Sequence, residues 1–80
     1  MSRRMLTQAV ARAAREAPAS PRALALAAGI PPSTLCRIET GEREATEAVA
    51  GAVAATLREW ARDCVRLAER IENALPEGRE

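Results

Sequence analysis

The chain has 80 residues, enough for one small domain with a thin hydrophobic core. Phe, Tyr, His and Lys are absent, Trp60 is the only aromatic residue, and all 12 basic residues are arginine. Histidine is the commonest general base and metal ligand, and no paired carboxylates or nucleophile–base arrangement is evident. We therefore expect a protein that is not an enzyme and that has no metal site and no cofactor.

The net charge of +1 is unevenly distributed along the chain. Residues 1–43 contain seven Arg and three Glu, a charge of +4, whereas residues 44–80 contain five Arg and eight acidic residues, a charge of −3. A basic first half is compatible with a polyanionic partner. The lack of Phe and Tyr leaves no stacking platform for single-stranded nucleic acid, so a single-stranded partner is disfavoured.

The two cysteines and the length of the uncharged runs indicate where in the cell the protein is located. Cys36 and Cys64 have no metal-ligand spacing, and two thiols in a chain without a signal sequence predict a cytoplasmic protein. The longest uncharged run, Ala23–Cys36, is too short to span a bilayer and contains two prolines, so we expect no membrane association.

Two helices are predicted in the first third of the chain. After a loose arm over Met1–Arg4, Met5–Ala17 has apolar residues at helical spacing, and Pro18 ends the helix. Ser20 is a good N-cap for a second helix, Pro21–Ala28, which Gly29 terminates.

A third short helix follows almost at once. Pro32–Thr40 is bounded by two prolines before it and Gly41 after it. Leu35 and Ile38 lie one turn apart and are predicted to point inward, as is Ile30 in the preceding turn. The residues left facing outward are Pro32, Ser33, Cys36, Arg37 and Thr40.

The rest of the chain is predicted to be helical from Thr46, a possible N-cap, to about Leu75, just before Pro76. Its apolar residues step by three and four in the heptad manner. The residues in this pattern are Leu57, Trp60, Cys64, Leu67, Ile71 and Ala74. The sequence leaves open one long helix or two with a bend near residues 57–60, and Gly51 is interpreted as a position of close helix contact.

The stretch SPRALALAAGIPPSTLCRIETGE resembles the helix-turn-helix of the Cro and phage-repressor type, also called the XRE or lambda-repressor-like family. The resemblance covers about residues 5–58. The features that carry it are Leu24-Ala25, Gly29-Ile30, Ser33-Thr34-Leu35, Arg37-Ile38-Glu39 and Gly41. It implies an all-α fold of four or five helices, with a helix-turn-helix at residues 20–41 and a long C-terminal helix.

The same resemblance implies a DNA-binding surface, with Arg37 as the best candidate to grip guanine through two hydrogen bonds. Ser20, Arg22 and Arg43 would lie near phosphates. The complete set of implied contacts is Ser20, Arg22, Pro32, Ser33, Thr34, Cys36, Arg37, Thr40 and Arg43.

Three positions depart from the family pattern. Pro21 stands where many members have a phosphate-binding glutamine, and Pro31 where a polar N-cap is usual. Ala14 stands where many have an arginine paired with the position of Glu39, a role that Arg12 or Arg15 could take only after a shift of the helix. These departures affect the target sequence more than the fold.

The predicted organisation is a DNA-binding domain over 1–58, a C-terminal helix over 59–76 and a polar tail over 77–80. Leu57, Trp60, Cys64, Leu67 and Ile71 are the predicted dimer contact, although the helix could instead fold back to complete the monomer core. The arginines at every fourth position (Arg58, Arg62, Arg66 and Arg70) are interpreted as a solvated face with ion pairs.

The predicted function is sequence-selective binding of double-stranded DNA by a homodimeric transcriptional repressor. The alternative is a protein-interaction module, such as an antitoxin, a packaging adaptor or a polymerase-binding factor, in which the helix-turn-helix serves as scaffold.

Overall fold

The computed structural model describes residues 3–76 and contains four helices in that range: α1 (Arg3–Glu16), α2 (Pro21–Ala28), α3 (Pro32–Thr40) and α4 (Glu47–Ala74). The all-α class and the long C-terminal helix are confirmed. No strand occurs within residues 3–76. The predicted polar tail, residues 77–80, lies outside the described residues.

The first helix begins earlier than the sequence indicated. Arg3 and Arg4, predicted to belong to a loose arm, are already helical, and α1 ends at Glu16 rather than Ala17. Ala17 still donates its backbone N–H to the carbonyl of Ala13 at 2.9 Å, so the last turn closes just before Pro18.

Local capping explains the boundaries of α2 and α3. The Ser20 hydroxyl accepts a hydrogen bond from the Ala23 N–H at 3.1 Å, the contact expected of an N-cap. Gly29 and Gly41 have φ values of 75° and 86°, the left-handed conformation that glycine adopts without strain. After Gly29, the Ile30 N–H donates to the Ala25 carbonyl at 2.8 Å, which ends α2 in a Schellman motif.

The core lies where α1, α2 and the inner face of α3 meet. Leu24, Leu35 and Ile38 are its largest fully buried side chains. Its buried members are Val10, Ala14, Leu24, Ala25, Ile30, Leu35, Ile38, Ala45 and Val53. Both α3 and α4 pack against α1 and α2, and among the described residues these two helices do not pack against each other. The outer side of α3 is therefore not covered by α4.

A hydrogen bond that the sequence did not indicate anchors the loop between α3 and α4. Ala45 is completely buried, and its backbone N–H donates to the Thr7 hydroxyl on α1 at 2.8 Å. The two residues are 38 positions apart, so the bond joins the loop after α3 to the first helix.

The question of one or two C-terminal helices is settled, because α4 is a single helix of 28 residues, about 42 Å long. Its first half packs on the core through Val53, Leu57 and Trp60. Thr56 is also buried, and its hydroxyl donates to the Ala52 carbonyl at 2.9 Å. The second half extends away from the body, in a molecule with overall dimensions of 54 × 24 × 19 Å. No helix within residues 3–76 combines the length and the apolar character needed to cross a bilayer.

The interpretation of Gly51 as a close-contact position is wrong. Gly51 is exposed in the interior of α4, and a Cβ added there would meet no atom within 4 Å. The glycine therefore only lowers helix propensity.

We expect Gly51→Ala to raise the free energy of unfolding by about 0.5–1 kcal/mol, because alanine fits the space and favours the helix. Urea unfolding followed by circular dichroism measures the change. Gly29→Ala is the matched control and should be destabilising, because residue 29 has a left-handed backbone. A destabilised Gly51→Ala variant would show that residue 51 meets a contact absent from this fold.

We expect Thr7→Val to lower the free energy of unfolding by about 1–3 kcal/mol, because it leaves the buried Ala45 N–H without its acceptor. Thr7→Ser retains the hydroxyl and should lose much less. The same urea titration compares both variants with the unsubstituted chain, and equal losses from Val and Ser would exclude a role for the hydrogen bond.

Candidate nucleic-acid interface

One side of α3 is exposed to solvent. Ser33, Cys36, Arg37 and Thr40 occupy positions i, i+3, i+4 and i+7, which places them on one helical face, and all four are exposed. We call this set the α3 outer face. Burial of Leu35 and Ile38 on the opposite side determines which residues point outward.

Two residues of the predicted set lie off this face. Pro32 and Thr34 are half-buried. Thr34 lines a groove of about 420 Å³ between the α2–α3 turn and the beginning of α4, where Arg43 also contributes. A ligand on the α3 outer face would therefore meet Pro32 and Thr34 at its edges.

Two further exposed arginines of the predicted set lie before and after α3 in the chain. Arg22 lies in the first turn of α2, and Arg43 lies in the loop after α3. Within residues 3–76, no ion pair or side-chain hydrogen bond involves the guanidinium groups of Arg22, Arg37 or Arg43. These three cations remain available to an external anion.

The arginines of α1 and α4 behave differently. Arg12 pairs with Glu16 on the outside of α1 at 3.0 Å, and Arg66 pairs with Asp63 on α4. The Arg66–Asp63 contact agrees with the interpretation of the α4 arginines as a solvated face with ion pairs. Such exposed pairs contribute little stability, about 0–1 kcal/mol each.

The hydroxyl groups of the predicted site are partly used inside the chain. The Ser20 hydroxyl accepts the capping bond from Ala23, which leaves its hydrogen free to donate. Thr40 donates its hydroxyl hydrogen to the Arg37 carbonyl at 3.2 Å, so in this rotamer it has no hydrogen for a phosphate. Ser33 is exposed, and its hydroxyl has no such bond within the described part of the chain.

The structure shows the surroundings of Pro31 and Ala14, two of the positions that depart from the pattern of the phage-repressor family. Pro31 gives α3 no side-chain cap, and its carbonyl instead accepts from the N–H groups of Thr34 and Leu35 at 2.9 and 3.4 Å. Ala14 is buried in the core at 1% exposure. Arg12 is paired with Glu16, so it does not replace the arginine that the family pairs with Glu39.

The predicted dimer residues fall into two groups. Leu57 and Trp60 are half-buried and pack against the monomer core, whereas Cys64, Leu67 and Ile71 are exposed. The first half of α4 thus packs on the core, whereas the second half does not fold back onto it and has no partner within residues 3–76.

No group of three or more potential metal ligands lies together in residues 3–76. Besides Thr7, the sequence did not indicate the exposed apolar residues that lie outside the heptad pattern of α4, among them Val65 and Leu75. Heptad spacing excluded both, since neither occupies a core position of the repeat.

Comparison of the chain with protein-family models, with curated proteins and with solved structures found no match. The resemblance to phage repressors therefore rests on the residues quoted above and on no wider similarity.

Proposed function

We propose that the chain is a sequence-selective double-stranded DNA-binding transcriptional regulator, a repressor that acts as a homodimer. The observation that carries the proposal is the exposed α3 outer face, on which Arg37 makes no ion pair within residues 3–76. An α-helix fits the major groove of B-DNA, which is roughly 12 Å wide.

The functional groups on this face suit base recognition. Arg37 presents a planar guanidinium that can donate two hydrogen bonds to O6 and N7 of guanine. Ser33, one turn before it, offers a small hydroxyl to a neighbouring base or phosphate. Sequence preference would therefore come mainly from Arg37.

The flanking arginines suit backbone binding. Arg22 and Arg43 are exposed at the start of α2 and after α3, so they can contact phosphates on either side of a helix inserted in the groove. The charge of +4 on residues 1–43 adds a favourable long-range attraction to DNA. This part of the binding free energy is independent of base sequence and falls as salt rises.

One helix reads only a few base pairs, which is why the proposal includes a homodimer. Two copies related by a twofold axis would read half-sites about 34 Å apart on one side of the duplex. Occupancy of such a site at a promoter would block transcription. The alternative, a protein-interaction module, predicts no affinity for DNA even at low salt.

The decisive experiment is selection of bound duplexes from a random pool at low salt, followed by binding measurements on the selected site. We expect Arg37→Ala to reduce discrimination at one base pair by about 1–3 kcal/mol, because it removes the paired hydrogen bonds to guanine. We expect Arg43→Ala to weaken binding to all duplexes by a similar factor and to make binding less dependent on salt.

Arg62→Ala is the control, because Arg62 is an exposed arginine on α4, far along the chain from α3. Its removal should leave base preference unchanged. All three variants should unfold within about 0.5 kcal/mol of the unsubstituted chain, since each side chain is exposed. Unchanged base preference in Arg37→Ala would remove Arg37 as the reader. Absence of any salt-dependent binding would overturn the proposed function.

A further inference from the structure

The second half of α4 presents an apolar face with no partner within the described residues. Leu67 is 56% exposed and Ile71 is 65% exposed. Both continue the line of Val53, Leu57 and Trp60, which packs against the monomer core in the first half of the helix. We call the residues of the heptad pattern the α4 seam: Leu57, Trp60, Cys64, Leu67, Ile71 and Ala74. The α4 seam is one continuous face, half-buried against the body at Leu57 and Trp60 and exposed from Cys64 onward.

The heptad positions of this face follow from its spacing. Leu57, Cys64 and Ile71 occupy position a, and Trp60, Leu67 and Ala74 occupy position d. The flanking g positions hold Asp63 and Arg70, whereas the flanking e positions hold Ala61 and Ala68. The charged residues beside the exposed part of the seam therefore lie only on its g side. Asp63 is negative, and Arg70, one heptad later, is positive.

A parallel pair of α4 helices does not use these charges. In that arrangement a g residue faces the e residue of the next heptad on the other helix. Asp63 would face Ala68, and Arg70 would face Leu75. Neither charge would meet an opposite charge, and Arg70 would lie against an apolar side chain.

In an antiparallel pair, each flanking charge meets an opposite charge and each flanking alanine meets an alanine. With a opposite d, Cys64 packs on Leu67, Trp60 on Ile71, and Leu57 on Ala74 of the second copy. The same register places Asp63 of each copy opposite Arg70 of the other, because g residues then face g residues. On the other side of the seam, Ala61 faces Ala68, and their small side chains permit a close approach of the helices.

We propose that the α4 seam docks antiparallel on the same segment of a second copy of this chain, with the twofold axis between residues 65 and 66. The inference rests on the homodimer of the proposed function but not on its DNA contact. A symmetric pair of this kind is isologous, so each Asp63–Arg70 contact occurs twice.

The carboxylate of Asp63 has room for this second contact. Within its own chain Asp63 accepts from Arg66 through Oδ1, which leaves Oδ2 for Arg70 of the second copy. Arg70 makes no ion pair or side-chain hydrogen bond within residues 3–76. An exposed arginine and a half-paired carboxylate are thus brought together by the pairing.

In the antiparallel register, a residue of the second copy also lies at the edge of an apolar groove on the body. A groove of about 230 Å³ between α1 and α4 is lined by Leu6, Ala9, Ala54 and Leu57, among others. Antiparallel alignment brings Leu75 of the second copy next to Ala54, at the edge of this groove. Leu75 is 40% exposed in the monomer, so the pairing would cover an apolar residue at each end of the seam.

The antiparallel register can be tested by reversing the charge at position 63 in one chain and at position 70 in another. We expect Asp63→Arg and Arg70→Asp each to weaken self-association about tenfold or more, because each places like charges in contact twice. An equimolar mixture of the two variants should associate as a heterodimer, since both contacts then join opposite charges. Sedimentation equilibrium at low salt, with native mass spectrometry to count each chain, measures both effects.

The control pair is Glu69→Arg and Arg62→Glu, which change the net charge equally at positions that face away from the seam. These variants should self-associate like the unsubstituted chain. Circular dichroism verifies the helix content of all four. A preferred heterodimer from the seam variants alone supports the antiparallel register, and no preference overturns it.

The native cysteine provides an independent check of orientation. In a Cys36→Ser chain, a parallel pair places Cys64 opposite Cys64 and would oxidise readily to a disulfide, whereas the antiparallel pair places it opposite Leu67. A rapid Cys64 disulfide in the native dimer would overturn the proposal. A chain that stays monomeric at millimolar concentration yet binds DNA would overturn this inference and leave the DNA-binding proposal standing. An antiparallel dimer that does not bind DNA would support this inference and overturn the DNA-binding proposal.

Discussion

Burial of one side of α3 is the constraint on which the rest of the structure depends. Leu35 and Ile38 are at 0% and 1% exposure and pack into the same core as Leu24. Truncating a buried leucine to alanine typically costs about 2–5 kcal/mol, a large share of the stability of a small domain. Because Leu35 and Ile38 fix one side of this nine-residue helix against the core, the opposite side, with Ser33 and Arg37, faces solvent.

The connections on each side of α3 maintain this orientation. Gly29 and Gly41 allow the chain to reverse sharply where other residues would be strained. The Thr7–Ala45 hydrogen bond then secures the exit of α3 to α1, so both ends of the helix are attached to the body. For the proposed binding of a DNA duplex this support would be favourable, because a loosely held helix would lose binding free energy to ordering.

The hydrophobic core is small, and the first half of α4 contributes to it. Most buried side chains are alanine, valine, leucine or isoleucine, and Trp60 is only half-buried. The first half of α4 is needed to complete that core, while the second half carries apolar residues into solvent. Association of two copies would bury this remaining area and, at the same time, supply two reading helices to a symmetric site. Stability and recognition would then be coupled through one helix.

The sequence by itself determined α2 and α3 and their ends, because caps such as Ser20 and Gly41 act through neighbouring residues. It also determined which side of α3 is apolar. Only the tertiary structure decided where along α4 the core stops, since the heptad spacing is the same in the buried and the open part. The Thr7–Ala45 bond was likewise decided by the tertiary structure, because it joins two residues that are distant in sequence and adjacent in space.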